Sequence, residues 1–91
     1  MRKRITFKGK VQGVGFRITT LTIAHKLGIR GWVRNNSDGS VTMVVEGPPE
    51  KMNQLEKELE TKFSGYISQE EEQEEQEETT KEKLTDFRIL Y

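Results

Sequence analysis

The order in which hydrophobic spacing changes along this chain limits its fold more than any other feature. Some segments alternate apolar and polar residues, as half-buried strands do, and others repeat apolar residues at helical spacing. The predicted elements are a strand over 2–11, a helix over 16–28, strands over 29–35 and 40–47, a helix over 48–63 and a closing strand over 84–91. Residues 64–68 can open one further strand. The order β-α-β-β-α-β predicts a ferredoxin-like α+β sandwich, an antiparallel sheet with two helices on one face.

Local patterns also predict where the helices and the hairpin begin and end, and which helical residues face the sheet. Gly28 is a suitable residue to end the first helix, and Pro49 suits the first turn of the second. Between them, Asp38-Gly39 is typical of a hairpin turn between the second and third strands. The predicted core faces are Phe16, Thr20, Ile23, Ala24 and Leu27 on the first helix, and Met52, Leu55, Leu59 and Phe63 on the second.

The composition predicts one small domain over residues 1–91, with a compact core because only 32% of residues are hydrophobic. The absence of cysteine excludes disulfides, a thiol nucleophile and cysteine-rich zinc sites. No apolar run is long enough for a membrane helix, and the basic N-terminal segment lacks the apolar region of a signal peptide. We therefore expect a cytoplasmic monomer with no membrane partner.

The chain is neutral only as an average of two unlike halves. Residues 1–45 hold nine Lys/Arg and one acid, a net charge of +8, whereas residues 46–91 hold six Lys/Arg and fourteen acids, a net charge of −8. The basic half indicates an anionic ligand. Residues 68–83 contain no apolar side chain and are expected to form a polar edge strand or a loop.

A glycine-rich segment between the first strand and the first helix is suited to an anion. Gly9, Gly13 and Gly15 fall within seven residues, and Arg17 follows in the first helical turn. Glycines let successive N–H groups turn toward one point, and a helix N-terminus adds unpaired N–H groups and positive charge. The spacing fits neither the P-loop nor the complete dinucleotide fingerprint. A glycine-rich turn without a ligand remains the alternative.

Two motifs in the chain resemble those of the acylphosphatase family. They are "GKVQGVGFR", residues 9–17, and "GWVRNNSDGSV", residues 31–41, and the resemblance covers about residues 3–67 and 84–91. It implies the same β-α-β-β-α-β fold. It also implies an enzyme, an acyl phosphate phosphohydrolase, that cleaves the carboxyl–phosphate bond of small acyl phosphates without a metal or cofactor. Inorganic phosphate would be both a product and a competing ligand.

The resemblance assigns roles to individual residues. Backbone N–H groups of the loop would cradle the phosphate, and Arg17 would bind the phosphoryl oxygens. Asn35 would position the attacking water, and Thr20 would help to fix the site. The loop residues to which phosphate binding carries over are Gln12, Gly13, Val14, Gly15 and Phe16, together with Arg17.

The residues themselves point to the same chemistry. The single histidine, His25, lies about two turns along the helix from Arg17, so no serine–histidine–aspartate arrangement can form around it. No cluster near the loop has metal-ligand spacing. A site with a cation, backbone donors and an amide lacks a strong general acid. Its leaving group must therefore depart unprotonated, as a carboxylate does and an alkoxide does not.

Two readings from other classes stay open. Ferredoxin-like sandwiches can bind RNA, which would require Phe7, Trp32 and Phe87 on an open sheet face for base stacking. An enzyme would instead bury most of these rings beneath its helices. Because the chain has seven aromatic residues in all, few are left for base stacking, and we expect no nucleic-acid partner. The other alternative to an enzyme is a catalytically idle accessory domain.

Overall fold

The computed structural model describes residues 1–75 and 83–91. Its helices and strands follow the predicted order, with one strand more than the six-element pattern. They are β1 (Arg2–Gly9), α1 (Phe16–Leu27), β2 (Arg30–Asn35), β3 (Val41–Glu46), α2 (Pro49–Lys62), β4 (Ile67–Glu75) and β5 (Phe87–Leu90). Neither described helix is long and apolar enough to cross a membrane.

The five strands form one sheet in the order β4-β1-β3-β2-β5. Two of the three inner strands, β1 and β3, pair antiparallel with Ile5 opposite Met43 and Phe7 opposite Val41. These side chains point to one face of the sheet, where they pack with both helices into a single core. Because the helices share this face, the ferredoxin-like α+β class is confirmed.

The core contains every side chain that the helical spacing placed there. On α1 the buried residues are Phe16, Thr20, Ile23, Ala24 and Leu27, and on α2 they are Met52, Leu55 and Leu59, with Phe63 buried at the end of the helix. The rings of Phe7, Phe16 and Phe63 stack in sequence, with centroids 5.0 and 4.8 Å apart. This aromatic row anchors the start of α1 to the sheet and so fixes the loop before it.

The sheet is mixed, whereas the sequence predicted an antiparallel sheet. β5 pairs with β2 in parallel, from Gly31 opposite Phe87 to Arg34 opposite Leu90, whereas every other pairing is antiparallel. The physical reason is the connection from β4 to β5, because these strands lie at opposite edges of the sheet. A hairpin makes two consecutive strands antiparallel neighbours, and since β4 and β5 are not neighbours this constraint does not act on the direction of β5.

β4 is an edge strand made almost wholly of polar residues, and it is held to β1 by charge. Three ion pairs cross between the strands, Lys3 to Glu72 at 2.7 Å, Arg4 to Glu75 at 2.6 Å and Lys8 to Glu71 at 2.9 Å. Part of the acidic run 68–83 therefore forms a strand, while residues 76–82 lie outside the described residues. Charged side chains along such an edge oppose pairing with other chains.

Candidate functional site

The glycine loop enters α1 with its backbone in a conformation that favours glycine. Gly13 and Gly15 have φ angles of 77° and 82°, in the left-handed region, and an added Cβ at Gly13 would meet no atom within 4 Å. The requirement at these positions is therefore conformational rather than steric. Gly15 is the residue before α1, and no side chain caps that end of the helix. The N–H groups of the first turn are thus left for a ligand or water.

Gln12 attaches this loop to the hairpin between β2 and β3. Its side-chain Nε2 donates hydrogen bonds to the carbonyl oxygens of Asn36 and Ser40, at 2.8 and 2.9 Å. The side chain is therefore committed to the hairpin and does not line the cavity described below. Any contact of Gln12 with a phosphate must come from its backbone, as the motif implies.

The hairpin that receives Gln12 is itself closed by a polar network. The Asn36 side chain donates to Ser40 Oγ at 2.9 Å and to Thr42 Oγ1 at 2.8 Å. Asp38 accepts from the backbone N–H of Ser40 at 2.9 Å and from its hydroxyl, and these hydrogen bonds lower the pKa of the Asp38 carboxyl. This network holds the end of β2 rigidly, and Asn35 is the last residue of that strand.

Loop, helix and strands enclose a cavity of about 230 Å³ at one end of the sheet. Both residues to which the motifs assign chemistry, Arg17 and Asn35, line it and are half-buried. The full lining is Val11, Gly13, Gly15, Phe16, Arg17, Ile18, Asn35, Ile89 and Tyr91. The structure thus brings Arg17, Asn35 and the glycine loop to one place, although Arg17 lies in the first turn of α1 and Asn35 at the end of β2.

The cavity carries positive charge without a neutralising acid. Among residues 1–75 and 83–91, Arg17 forms no ion pair and no carboxylate side chain lines the cavity. Its guanidinium lies 5.3 Å from the centre of the Tyr91 ring, a cation–π distance. An arginine presented in this way, beside unpaired helix N–H groups, suits the oxygens of a phosphoryl group.

Thr20 supports the site from within the helix. Its hydroxyl donates to the carbonyl oxygen of Phe16 at 2.8 Å, and the side chain is fully buried. It therefore does not reach the cavity and can act only by fixing the first turn of α1. Val14 likewise does not line the cavity, but it is exposed between two glycines that do.

Four lining residues were not among the predicted site residues, namely Val11, Ile18, Ile89 and Tyr91. The sequence predicted the closing strand over 84–91, which carries Ile89 and Tyr91. What the sequence did not reveal is that β5 lies beside β2, which brings Tyr91 next to the end of that strand. Without that pairing no local pattern connects Tyr91 with Arg17.

The remaining titratable groups lie elsewhere in the fold. The ring Nε2 of His25 lies 3.0 Å from the carbonyl oxygen of Phe87, so this histidine joins α1 to β5 away from the cavity. In the part of the chain that the structure describes, no three acidic or histidine side chains are grouped so as to hold a metal ion. The chemistry available in the cavity is therefore that of a guanidinium, backbone N–H groups, an amide and the phenol of Tyr91.

Comparisons of the sequence and of the fold with known proteins match this chain to one family. The family model described as acylphosphatase matches residues 3–89. The acylphosphatase of Lactobacillus gasseri is 39% identical, with the alignment covering 98% of this chain and 99% of that protein. The crystal structure of acylphosphatase from Bacillus subtilis superposes with a TM-score of 0.86 at 32% identity, over 99% of this chain and 98% of that one.

Other relatives match over a shorter segment. The acylphosphatase of Thermococcus kodakarensis is 49% identical over 55 residues, which is 60% of this chain and 60% of that protein. In such cases this chain spans about three fifths of the curated relative that it matches.

Proposed function

The chain belongs to the acylphosphatase family, and we propose from this premise that it hydrolyses acyl phosphates to a carboxylate and inorganic phosphate. The observation that carries the proposal is the convergence of Arg17, Asn35 and the glycine loop on one cavity that no acid lines among the described residues. Two separate segments of the chain supply these parts, the loop with the first turn of α1 and the end of β2, and a ligand-free turn would not need the second.

The loop and Arg17 hold the phosphoryl group in this proposal. Backbone N–H groups between Gln12 and Phe16 surround its oxygens, and the guanidinium of Arg17 neutralises their charge. Gln12 and Thr20 act by positioning, since one side chain ties the loop to the hairpin and the other fixes the first turn of α1. Because loop and hairpin are held before substrate arrives, little reorganisation is needed when the transition state forms.

Asn35 positions the water that attacks phosphorus. As the new P–O bond forms, the bond from phosphorus to the acyl oxygen breaks, and its electron pair leaves on the carboxylate. The proton lost by the water passes to an oxygen of the phosphoryl group, so the products are a carboxylate and inorganic phosphate. A carboxylate is a weak base and needs no proton to depart, which matches a cavity that, among the described residues, no histidine or carboxylic acid side chain lines.

The location of the aromatic rings favours this proposal over RNA binding. Phe7 and Phe87 lie in the core beneath the helices, and Trp32, on the other face, is only 6% exposed. The guanidinium carbons of Arg4 and Arg34 lie 5.6 and 5.1 Å from the centre of the Trp32 ring. In the described residues these three rings therefore form no stacking platform.

The test is hydrolysis of benzoyl phosphate by the purified chain, with a chelator present and inorganic phosphate as a competing inhibitor. We expect turnover that survives the chelator and falls as phosphate is added. No turnover by a folded protein would overturn the proposal and favour an idle accessory domain or a binding module. A monomeric state and a cytoplasmic location stay predictions from the sequence, and size-exclusion chromatography at assay concentration tests the former.

A further inference from the structure

Exposed apolar side chains gather at the mouth of the cavity. In the described residues only five large hydrophobic side chains are exposed, Met1, Val14, Ile18, Tyr66 and Tyr91. Ile18 and Tyr91 line the cavity, the former 57% exposed and the latter fully exposed, and Val14 lies between two glycines that line it. Large apolar groups left in water at the entrance to a cavity are typical of a binding surface.

The interior of the cavity continues this apolar character. Val11 and Phe16 are buried there, Ile89 is half-buried, and the polar side chains are Arg17 and Asn35. In the proposed reaction both polar groups are engaged, one by the phosphoryl oxygens and the other by water. Since the floor is closed by buried side chains, the acyl part of a substrate must extend outward across the apolar mouth.

We propose that Ile18, Tyr91 and Val14 form a subsite for the acyl group, which favours aromatic or branched apolar acyl phosphates over acetyl phosphate. This inference rests on the proposed function. Each area of apolar surface the size of one CH₂ group that the acyl group covers should raise kcat/KM about fourfold, because that surface is removed from water. The Tyr91 ring lies within cation–π distance of the Arg17 guanidinium and is exposed to solvent. It can therefore contact an aromatic acyl group.

The experiment compares kcat/KM for benzoyl phosphate with kcat/KM for acetyl phosphate in one enzyme preparation at a time. This ratio does not depend on the fraction of active enzyme. Benzoate is the better leaving group, but that advantage is the same in the unmodified chain and in a variant, so it cancels between them. Ile18→Ser removes the apolar contact at nearly unchanged helix propensity, and Ile18→Leu retains an apolar side chain.

We expect the ratio to fall about fourfold or more in Ile18→Ser and to stay within about twofold in Ile18→Leu. Tyr66→Ser removes an exposed apolar side chain that does not line the cavity, and it should leave the ratio unchanged. An unchanged ratio in both Ile18→Ser and the double variant Ile18→Ser/Tyr91→Ser, with turnover intact, would overturn the acyl subsite alone. Absence of turnover in the unmodified chain would instead overturn the proposed function.

Discussion

The guanidinium carbon of Arg17 lies 5.3 Å from the centre of the Tyr91 ring, so residues near opposite ends of the chain meet at the cavity. Arg17 extends from the first turn of α1, and Tyr91 follows the last residue of β5. A long arginine side chain has many rotamers, and a ring against its planar group restricts them. We therefore expect Tyr91 to act as a positioning residue for the cation that the proposed reaction needs.

We predict that Tyr91→Leu weakens the binding of inorganic phosphate about two- to fivefold, the range of an exposed cation–π contact. Phosphate has no acyl group, so its inhibition constant reports on the phosphate site formed by Arg17 and the loop and not on the proposed acyl subsite. Tyr91→Phe keeps the ring and should bind phosphate like the unmodified chain. If both variants leave the inhibition constant unchanged, the ring does not position Arg17.

Arg17 and Asn35 should be separable by their effects on binding and on turnover. Arg17→Ala removes the only side-chain cation among the described residues that line the cavity, and it should abolish phosphate inhibition and lower kcat/KM on the order of 10³-fold or more. Asn35→Ala should leave the phosphate inhibition constant nearly unchanged while kcat falls on the order of 100-fold, because only the water loses its position.

The controls for this pair test charge against geometry. Arg17→Lys keeps the charge but loses the planar fork of donors, so phosphate binding should lie between those of the unmodified chain and Arg17→Ala. Circular dichroism should show that all three variants fold. Near-native and equal rates for Arg17→Ala and Asn35→Ala would show that neither residue belongs to the reacting site.

The helices, the hairpin and the core could be predicted because they depend on local patterns. All the α1 and α2 core residues follow from apolar spacing, and the hairpin follows from Asp38-Gly39. The meeting of Arg17 and Asn35 was implied by the family motifs. By contrast, the place of Tyr91 depends on β5 pairing in parallel with β2, a contact between distant segments that no local pattern in the β5 sequence specifies.

The charge pattern indicated an anionic ligand, but it did not show which basic residues are available to bind one. The basic first half indicated an anionic ligand, yet Lys3, Arg4 and Lys8 pair with glutamates of β4. Arg2 is likewise bound, in two hydrogen bonds, to Glu46 on β3. Most of this basic strand therefore neutralises acidic neighbours within the sheet, and Arg17 is the cation at the cavity. Composition cannot separate these uses, because strand pairing decides which charges meet.

The bridge from Gln12 to the hairpin gives a prediction about loop stability. Gln12→Ala should lower the free energy of unfolding by about 1 kcal/mol, near the low end for hydrogen-bond loss. The loss is modest because each carbonyl keeps a backbone donor, Gly39 N–H for Asn36 and Asn36 N–H for Ser40. The same variant should weaken phosphate inhibition, since the loop is no longer fixed. Urea denaturation and inhibition kinetics measure the two effects.

An isosteric change sharpens the Gln12 test. Gln12→Glu places carboxylate oxygens against the carbonyl oxygens of Asn36 and Ser40, so it should destabilise the chain more than Gln12→Ala does. Gln69→Ala removes an exposed glutamine whose one hydrogen bond, to Glu71, is 3.4 Å long, and it should change neither quantity. Equal stability of Gln12→Glu and the unmodified chain would contradict the bridge.

Carboxyl groups that face each other between α2 and β4 predict that stability falls as pH rises through neutrality. Desolvation, together with a hydrogen bond to the Glu72 carboxyl, raises the pKa of Glu56 to about 7. Desolvation and a hydrogen bond to Glu60 raise the pKa of Glu70 to about 7 as well. Lys3 is the cation at this contact, and its hydrogen bond to Glu72 lowers the pKa of that carboxyl.

The direction of the effect follows from proton binding in the two states. In the unfolded chain Glu56 and Glu70 lose their protons near the ordinary glutamate pKa of 4.5, but in the folded chain they hold them up to about pH 7. Their contribution is therefore complete below pH 4.5 and is lost as pH rises through about 7, while the Glu72 contribution is lost on the acid side. Thermal unfolding from about pH 5 to pH 8 at fixed ionic strength should show the Tm decline.

Glu70→Gln should flatten this decline and raise the Tm at pH 8 relative to the unmodified chain, because an amide stays neutral and can still hydrogen bond to Glu60. Glu74→Gln removes the same charge from the same strand and is the control, with a pH profile expected to parallel that of the unmodified chain. A decline that persists unchanged in Glu70→Gln, or one that disappears equally in Glu74→Gln, would show that general charge repulsion rather than the α2–β4 contact sets the pH dependence.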